Sequence, residues 1–260
     1  MTETTLARLA PFALGLVALI AWEALVRLGD IPPYVLPGPL LIAKTLWTDG
    51  PSLLASLWVT LRITIIALIA AAVGGTLLAV LMAQSRLIER SLFPYAVILQ
   101  VTPIVAIAPL IIIWANDTTL ALVLCAWIVA FFPIVSNTTT GLNSADANLV
   151  DLFRLYGADR WKMLRFLRFP SALPYFLAGL RISGGLALVG AVVAEFVAGT
   201  GGAETGLAFR ILEAGYRLQI PRMFAALVLL GLAGIAIYLA LNWLSQRLLR
   251  RWHDSARPPE

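Results

Sequence analysis

Asp151-Leu152-Phe153-Arg154-Leu155-Tyr156-Gly157-Ala158-Asp159-Arg160-Trp161-Lys162-Met163-Leu164-Arg165-Phe166-Leu167-Arg168-Phe169-Pro170 is a charged island in an otherwise apolar chain. It falls between two long apolar runs and carries too much charge to lie in lipid. The runs on either side therefore read as membrane helices and the island as a surface loop between them. A short, charged, helical loop of this kind is suited to docking on a partner.

Composition supports that frame. Hydrophobic residues make up 60% of the 260, charged residues 13%, and the mean hydropathy is +0.90, all outside the soluble range. The single cysteine, Cys125, lies inside an apolar run, so no internal disulfide can form. The one histidine, His253, is in a polar tail, which excludes a metal centre built from several His or Cys ligands. The net charge of +5 has a local origin: most of the basic residues are arginines flanking apolar runs, where they set topology, and no nucleic-acid partner is expected.

Six spans are predicted, at about Leu9–Val26, Leu57–Met82, Phe93–Trp114, Thr119–Val135, Tyr175–Val197 and Met223–Leu244. They must be helices, because the alternation of a membrane barrel is absent and lone strands would leave backbone groups unsatisfied in lipid. The first run is read as a true span and not a signal peptide, since no cleavage site leads from it into a soluble domain. The fold class is thus all-α: one polytopic membrane domain over residues 1–260, with a loop at 143–170.

Basic residues set the orientation. With the N-terminus inside, Arg8, Arg86, Arg90, Arg154, Arg160, Lys162, Arg165, Arg168, Arg247, Arg250, Arg251 and Arg257 are cytoplasmic. Arg27, Lys44, Arg62, Arg210, Arg217 and Arg222 are outside. Both termini and the 143–170 loop then face the cytoplasm. Within the spans, Gln100, Thr102, Pro103 and Pro109 interrupt the third, and proline bends a helix by removing a donor. Irregular backbone at that depth needs protein or a cavity around it. Ala67, Ala71, Gly75, Ala79 and Ala83 recur every fourth residue on the second span, a small-residue stripe best explained by packing within the chain.

In the loop, Ser144 is positioned to cap a helix over about Ala145–Tyr156. Leu149, Leu152, Phe153 and Tyr156 share one face of it, while Asp151 and Arg154 are spaced to pair. Gly157 interrupts, a place for a positive φ. A second helix from about Asp159 puts Met163, Leu164, Phe166 and Leu167 on one arc and Lys162, Arg165 and Arg168 on another, with Pro170 ending it. The expected product is a helix–glycine–helix elbow.

The spacing from Asp151-Leu152-Phe153 through Gly157 to Leu167-Arg168-Phe169-Pro170 resembles the EAA loop of ABC-importer permeases. That consensus reads Glu-Ala-Ala, three residues, Gly, nine residues, then Ile-x-Leu-Pro. Here the carboxylate is kept and the two small residues are replaced by Leu152 and Phe153. Leu36-Pro37-Gly38-Pro39, Pro103 through Leu110, Phe131-Phe132-Pro133-Ile134 and Leu173 through Arg181 are similar to segments of the nitrate, sulfonate and taurine branch. Gly190 through Phe196 looks more like members that handle pyrimidine-type precursors.

The resemblance implies a type I importer permease that lines the path of a small organic solute. It implies a homodimer, a cytoplasmic ATPase dimer that holds ATP and Mg, an extracytoplasmic solute-binding protein, and a prokaryotic inner membrane. It assigns ATPase coupling to Leu149, Asp151, Leu152, Phe153, Arg154, Tyr156, Gly157, Ala158, Arg160, Trp161, Leu164 and Pro170. No cofactor or metal is expected on this chain.

Gly38-Pro-Leu-Leu-Ile-Ala-Lys44-Thr45 falls one glycine short of a phosphate-binding loop and follows no strand, so ATP is not expected there. Nothing resembles a catalytic constellation, and the chain is not expected to be an enzyme. Glu195 is the sharpest charge inside a span, equally suited to a structural ion pair and to the solute path. Gln100, Thr102, Pro103 and Asn137 are the remaining pathway residues expected. Glu23 in the first span reads as a residue reaching for the interface. From the residues alone, an ion-gradient-driven transporter using Glu195, or a membrane scaffold recruiting a cytoplasmic partner, stands as an alternative.

Overall fold

Runs this apolar satisfy their backbone only as helices, and the computed structural model has helices as its only regular elements among the described residues, which are 3–199 and 205–250, with side chains from Leu9 onward. Thr200, Gly201 and Gly202, the side chain of Arg8, and Arg251, His253 and Arg257 lie outside them. In chain order the helices are α1 (Glu3–Leu28), α2 (Pro39–Met82), α3 (Arg86–Val101), α4 (Ile104–Ala115), α5 (Thr118–Asn143), α6 (Ala147–Leu155), α7 (Arg160–Met163), α8 (Phe169–Ala198), α9 (Leu207–Tyr216) and α10 (Ile220–Leu249). A π-helical turn, Leu164–Arg168, joins α7 to α8.

Among the described residues, five stretches are long and apolar enough to cross a membrane, and the count reaches six if the bent pair α3–α4 is one span. That pair corrects the expected third span. Residues 93–114 do not form one rod: the chain turns by 99° at Thr102-Pro103. Pro103 has no N–H to continue α3, and its carbonyl starts α4 by accepting from Ala106 and Ile107 (3.0 and 3.4 Å). The second span also begins earlier than expected. At 44 residues α2 is about 66 Å long, twice the hydrocarbon thickness, so much of it lies outside the lipid core.

Contacts divide the chain into two units. One comprises Met1–Val59 and Gly201–Gly231. Its core joins Ile42, Leu53, Leu207, Ile211, Ala225 and Ala226, flanked by Trp22 and Phe224, whose rings lie 6.2 Å apart. Polar links frame it: Arg222 pairs with Asp49 at 3.5 Å and Arg210 donates to Ser56 at 3.2 Å.

The other unit comprises Thr60–Thr200 and Leu232–Glu260. An extensive contact in it joins α5 and α8. Small residues let the backbones close: a side chain at Gly190 would meet the Ala126 backbone at 2.8 Å, and one at Gly179 the Pro133 carbonyl at 2.8 Å. Ser183 donates to the Ala130 carbonyl across the same contact (2.6 Å). The stripe on α2 packs within this unit, Ala71 beside Ala130 and Ile134, Ala79 and Ala83 beside Leu142 and Leu164. α3 is held by Phe93 on Phe132, with ring centroids 5.9 Å apart.

Glu23 does more than reach for an interface. Its carboxylate accepts from the Leu40 backbone N–H at the start of α2 (3.1 Å) and from Arg27 Nε (2.7 Å). The first turn of α2 has no acidic residue of its own, so α1 supplies the negative charge that a helix N-terminus favours. A Cβ at Gly38 would come within 2.6 Å of Glu23 Oε2. Glu23→Ala and Gly38→Ala should each lower the midpoint of thermal unfolding in detergent, and the double variant should fall little further than either single.

On α9, Glu213 bonds Arg210 at 2.9 Å and pairs with Arg217 at 2.9 Å. The Arg210 hydrogen bond first, and then the neighbouring guanidinium charges, hold its carboxyl below the usual value of 4.5. A depressed acid stabilises the fold above its unfolded pKa and loses that contribution as pH falls through the folded one. Hydrogen exchange across residues 207–217 should therefore hold steady from pH 7 to 5 once corrected for intrinsic rates, and lose protection as pH drops below 4.5. Glu213→Gln should remove that acid transition.

Candidate functional site

The elbow is capped at every break. Asp146, not Ser144, caps α6: its Oδ1 accepts from the Asn148 and Leu149 N–H groups at 2.7 and 3.3 Å. Ser144 instead donates back to the Gly141 carbonyl at 2.8 Å, because it still sits at the end of α5. At the other end of α6, the Ala158 N–H reaches the Phe153 carbonyl and the Gly157 N–H the Arg154 carbonyl, both at 2.9 Å. These are the two bonds of a Schellman closure, with Gly157 at φ +69° in the left-handed position. Asp159 then caps α7 by accepting from the Lys162 N–H at 2.7 Å.

Pro170 begins a helix instead of ending one. It occupies the first turn of α8, where a missing N–H costs least. Its ring would press on the Phe166 carbonyl if the α-helical register ran through it. The chain widens to a π turn there, with the Phe169 N–H bonded to the Leu164 carbonyl. This wide turn also breaks the expected apolar arc: Leu164 and Leu167 are buried, whereas Phe166 points out.

Around these turns the apolar ridge of α6 stands free. Leu149 and Leu152 are 45% and 44% exposed, Tyr156 is 84% exposed, and Trp161 follows at 67%. Phe153 and Ala158 are half-buried, and Asp151 pairs with Arg154 at 3.1 Å on the exposed side as expected. Arg160 joins Arg154, Ala158, Met163, Leu164 and Arg168 around a cleft of about 280 Å³. Arg168 Nη1 donates to the Ala83 carbonyl just past the end of α2 (3.0 Å). A cation suits that helix terminus, and the bond ties the elbow to the α2–α3 link.

Residues 71–254 match the family of binding-protein-dependent transport system inner membrane components. The chain belongs to that family, the permease subunits of ABC importers. It is 37% identical to a riboflavin transport system permease protein of Chloroflexus aurantiacus, over 91% of this chain and 87% of the relative. It is 33% identical to a formylaminopyrimidine transport permease protein of Halalkalibacterium halodurans, over 93% and 95%. A probable ABC transporter permease protein of Haemophilus influenzae is 32% identical over 93% and 97%. In fold it is similar to the inward-facing methionine ABC transporter MetNI, with a TM-score of 0.65 and 19% identity over 75% of this chain and 95% of the other. The permease is thus a multi-pass membrane protein that works with a separate ATPase subunit and a binding protein, and ATP hydrolysis belongs to that ATPase.

The expected pathway residues of the permease occupy three settings. Gln100, Thr102 and Pro103 sit together at the 99° break, Gln100 exposed in the last turn of α3 and Thr102 Oγ1 bonded to the Ile98 carbonyl at 2.6 Å. Asn137 lies half-buried on α5 and donates to the Pro133 carbonyl of its own helix at 2.8 Å. Glu195 is 3% exposed in the last turn of α8 and engaged in interactions of its own. Sequence reasoning missed three features of the elbow: Arg168 as a tie, its acceptor Ala83, and the cap Asp146. The first pair is invisible in the sequence, because the acceptor is a backbone carbonyl 85 residues away.

Gly157→Ala meets no neighbour, since nothing lies within 4 Å of the added carbon, yet its left-handed backbone is strained by about 1 kcal/mol. The variant should insert and fold normally while amide exchange over residues 152–163 rises several-fold. Unchanged exchange there would mean that the closure contributes no stiffness.

Proposed function

We propose that the elbow at residues 143–170 is the coupling element of this importer, docking in a groove of its ATPase and passing the ATPase's closure into α8 and α2. The free apolar ridge of Leu149, Leu152 and Tyr156, mounted on a fully capped helix, is the observation that carries this reading. Apolar residues held rigid in an otherwise charged loop suit a protein groove, as exposed patches on soluble faces generally do. Leu155 and Trp161 extend the contact, Gly157 sets the angle between its two arms, and Arg154 and Arg160 supply a charged rim.

In this reading the permease acts as a homodimer over a dimer of ATPases, which hold ATP and Mg, with an extracytoplasmic binding protein on the far side. The excess of arginines beside the elbow supports a cytoplasmic elbow and cytoplasmic termini. ATP binding favours one state of the permease by its differential contacts with the elbow. Gln100, Thr102, Pro103, Asn137 and Glu195 contribute polar groups to the solute route. Likeness to the riboflavin and formylaminopyrimidine permeases supports a nitrogen-containing ring compound as the solute.

Leu152→Glu places a charge on the ridge without touching the core. Co-purification of the ATPase, followed by quantitative mass spectrometry, should fall by about tenfold or more, as at an interface hot spot, while yield and monodispersity of the permease stay unchanged. Retention of the ATPase at wild-type stoichiometry would overturn the docking role.

A further inference from the structure

At the start of α3, Arg86 and Arg90 stand one helical turn apart and both are exposed. Neither has an ion pair or hydrogen-bond partner for its guanidinium among the described residues. They line a cleft of about 390 Å³ with Glu89, Phe93 and Pro94. A second cleft of about 410 Å³ shares Arg86 and Glu89 and continues to Asn143 and Arg168. Two unpaired guanidiniums beside a cavity form a fork suited to the oxygens of a phosphate.

What lies along the helix from that fork narrows the choice of ligand. On the arginine-bearing face, Pro94, Ile98 and Val101 follow at helical spacing, and all three are exposed. From Arg90 to Val101 the helix rises by about 16 Å, half of the roughly 30 Å hydrocarbon core. A cationic fork above an apolar stripe one leaflet long matches a lipid's headgroup and acyl chain. A free phosphate or an acidic protein surface would have no use for the stripe.

We propose that Arg86 and Arg90 form a binding site for the headgroup of an anionic phospholipid, with one acyl chain lying along Pro94, Ile98 and Val101. Glu89 opposes the anion; its place in the first turn of α3, where a carboxylate favours the helix terminus, accounts for its presence. The site does not depend on the coupling role of the elbow. It borders Arg168, so a bound headgroup lies beside the tie between the elbow and α2.

The test is native mass spectrometry of the purified permease with its ATPase, titrated with dioleoyl-phosphatidylglycerol or dioleoyl-phosphatidylcholine. The site predicts preferential retention of phosphatidylglycerol. Arg86→Gln and Arg90→Gln should each weaken it by roughly fivefold, as expected for one basic residue at an anionic lipid surface. The Lys versions should retain most of it and Glu89→Gln should strengthen it, which separates a lost site from a damaged fold. Equal retention of both lipids, or phosphatidylglycerol binding unchanged in the double Gln variant, would overturn the proposal. Loss of the ATPase from that variant with lipid retained would instead assign the arginines to the protein interface. Leu152→Glu should leave lipid binding as it is, so the two proposals fail separately.

Discussion

Close contact between α5 and α8 carries the rest of the second unit. At Gly179 and Gly190 there is no room for a side chain, and Ser183 adds a buried hydrogen bond to the Ala130 carbonyl. In lipid there is little hydrophobic gain from joining two helices, so dispersion at short range and satisfied polar groups must hold them. The same helix that is gripped here begins at the elbow and carries Glu195 in its last turn. A rigid α8 therefore connects a surface loop to a buried carboxylate with little slack between them.

Stiffness continues into the loop. Each break between α5 and α8 is closed by a side chain or by a glycine in the conformation that only glycine adopts cheaply: Asp146, Gly157 and Asp159 in turn. Arg168 then fastens the exit to the end of α2. A loop left to fray would absorb a push, whereas one with its orphan amides and carbonyls paired transmits it. Leu149, Leu152, Leu155 and Tyr156 stand exposed on this stiff frame, with Trp161 and Phe166 exposed beyond them.

Much of this was legible in the residues. Gly157 announced a positive φ, and Asp151 with Arg154 announced their pair, because both depend on neighbours within one helical turn. The small-residue stripe of α2 signalled close packing by its four-residue period. What stayed hidden depended on distant partners or on competing local choices. Glu23 and Arg168 each serve a backbone group in a distant segment, 17 and 85 residues away, and no spacing rule points to a carbonyl or an amide. Ser144 and Asp146 both fit a cap, and only the extra residues of α5 decided between them. Thr102-Pro103 signalled a bend but not its size, since 99° reflects where α4 finds its packing against α5 and α8.

The π turn at Leu164–Arg168 fixes the bearing of the elbow about the axis of α8. A wide turn of this kind holds one residue more than the α-helix it interrupts. Removing that residue would restore an unbroken spiral, shorten the path by about 1.5 Å and swing everything before it through about 100°. The ridge on α6 would then look toward a different quarter of the membrane plane. A single extra amino acid thus works as an azimuth setting: chains that share the same spans and the same ridge would turn that ridge in different directions according to whether they carry it.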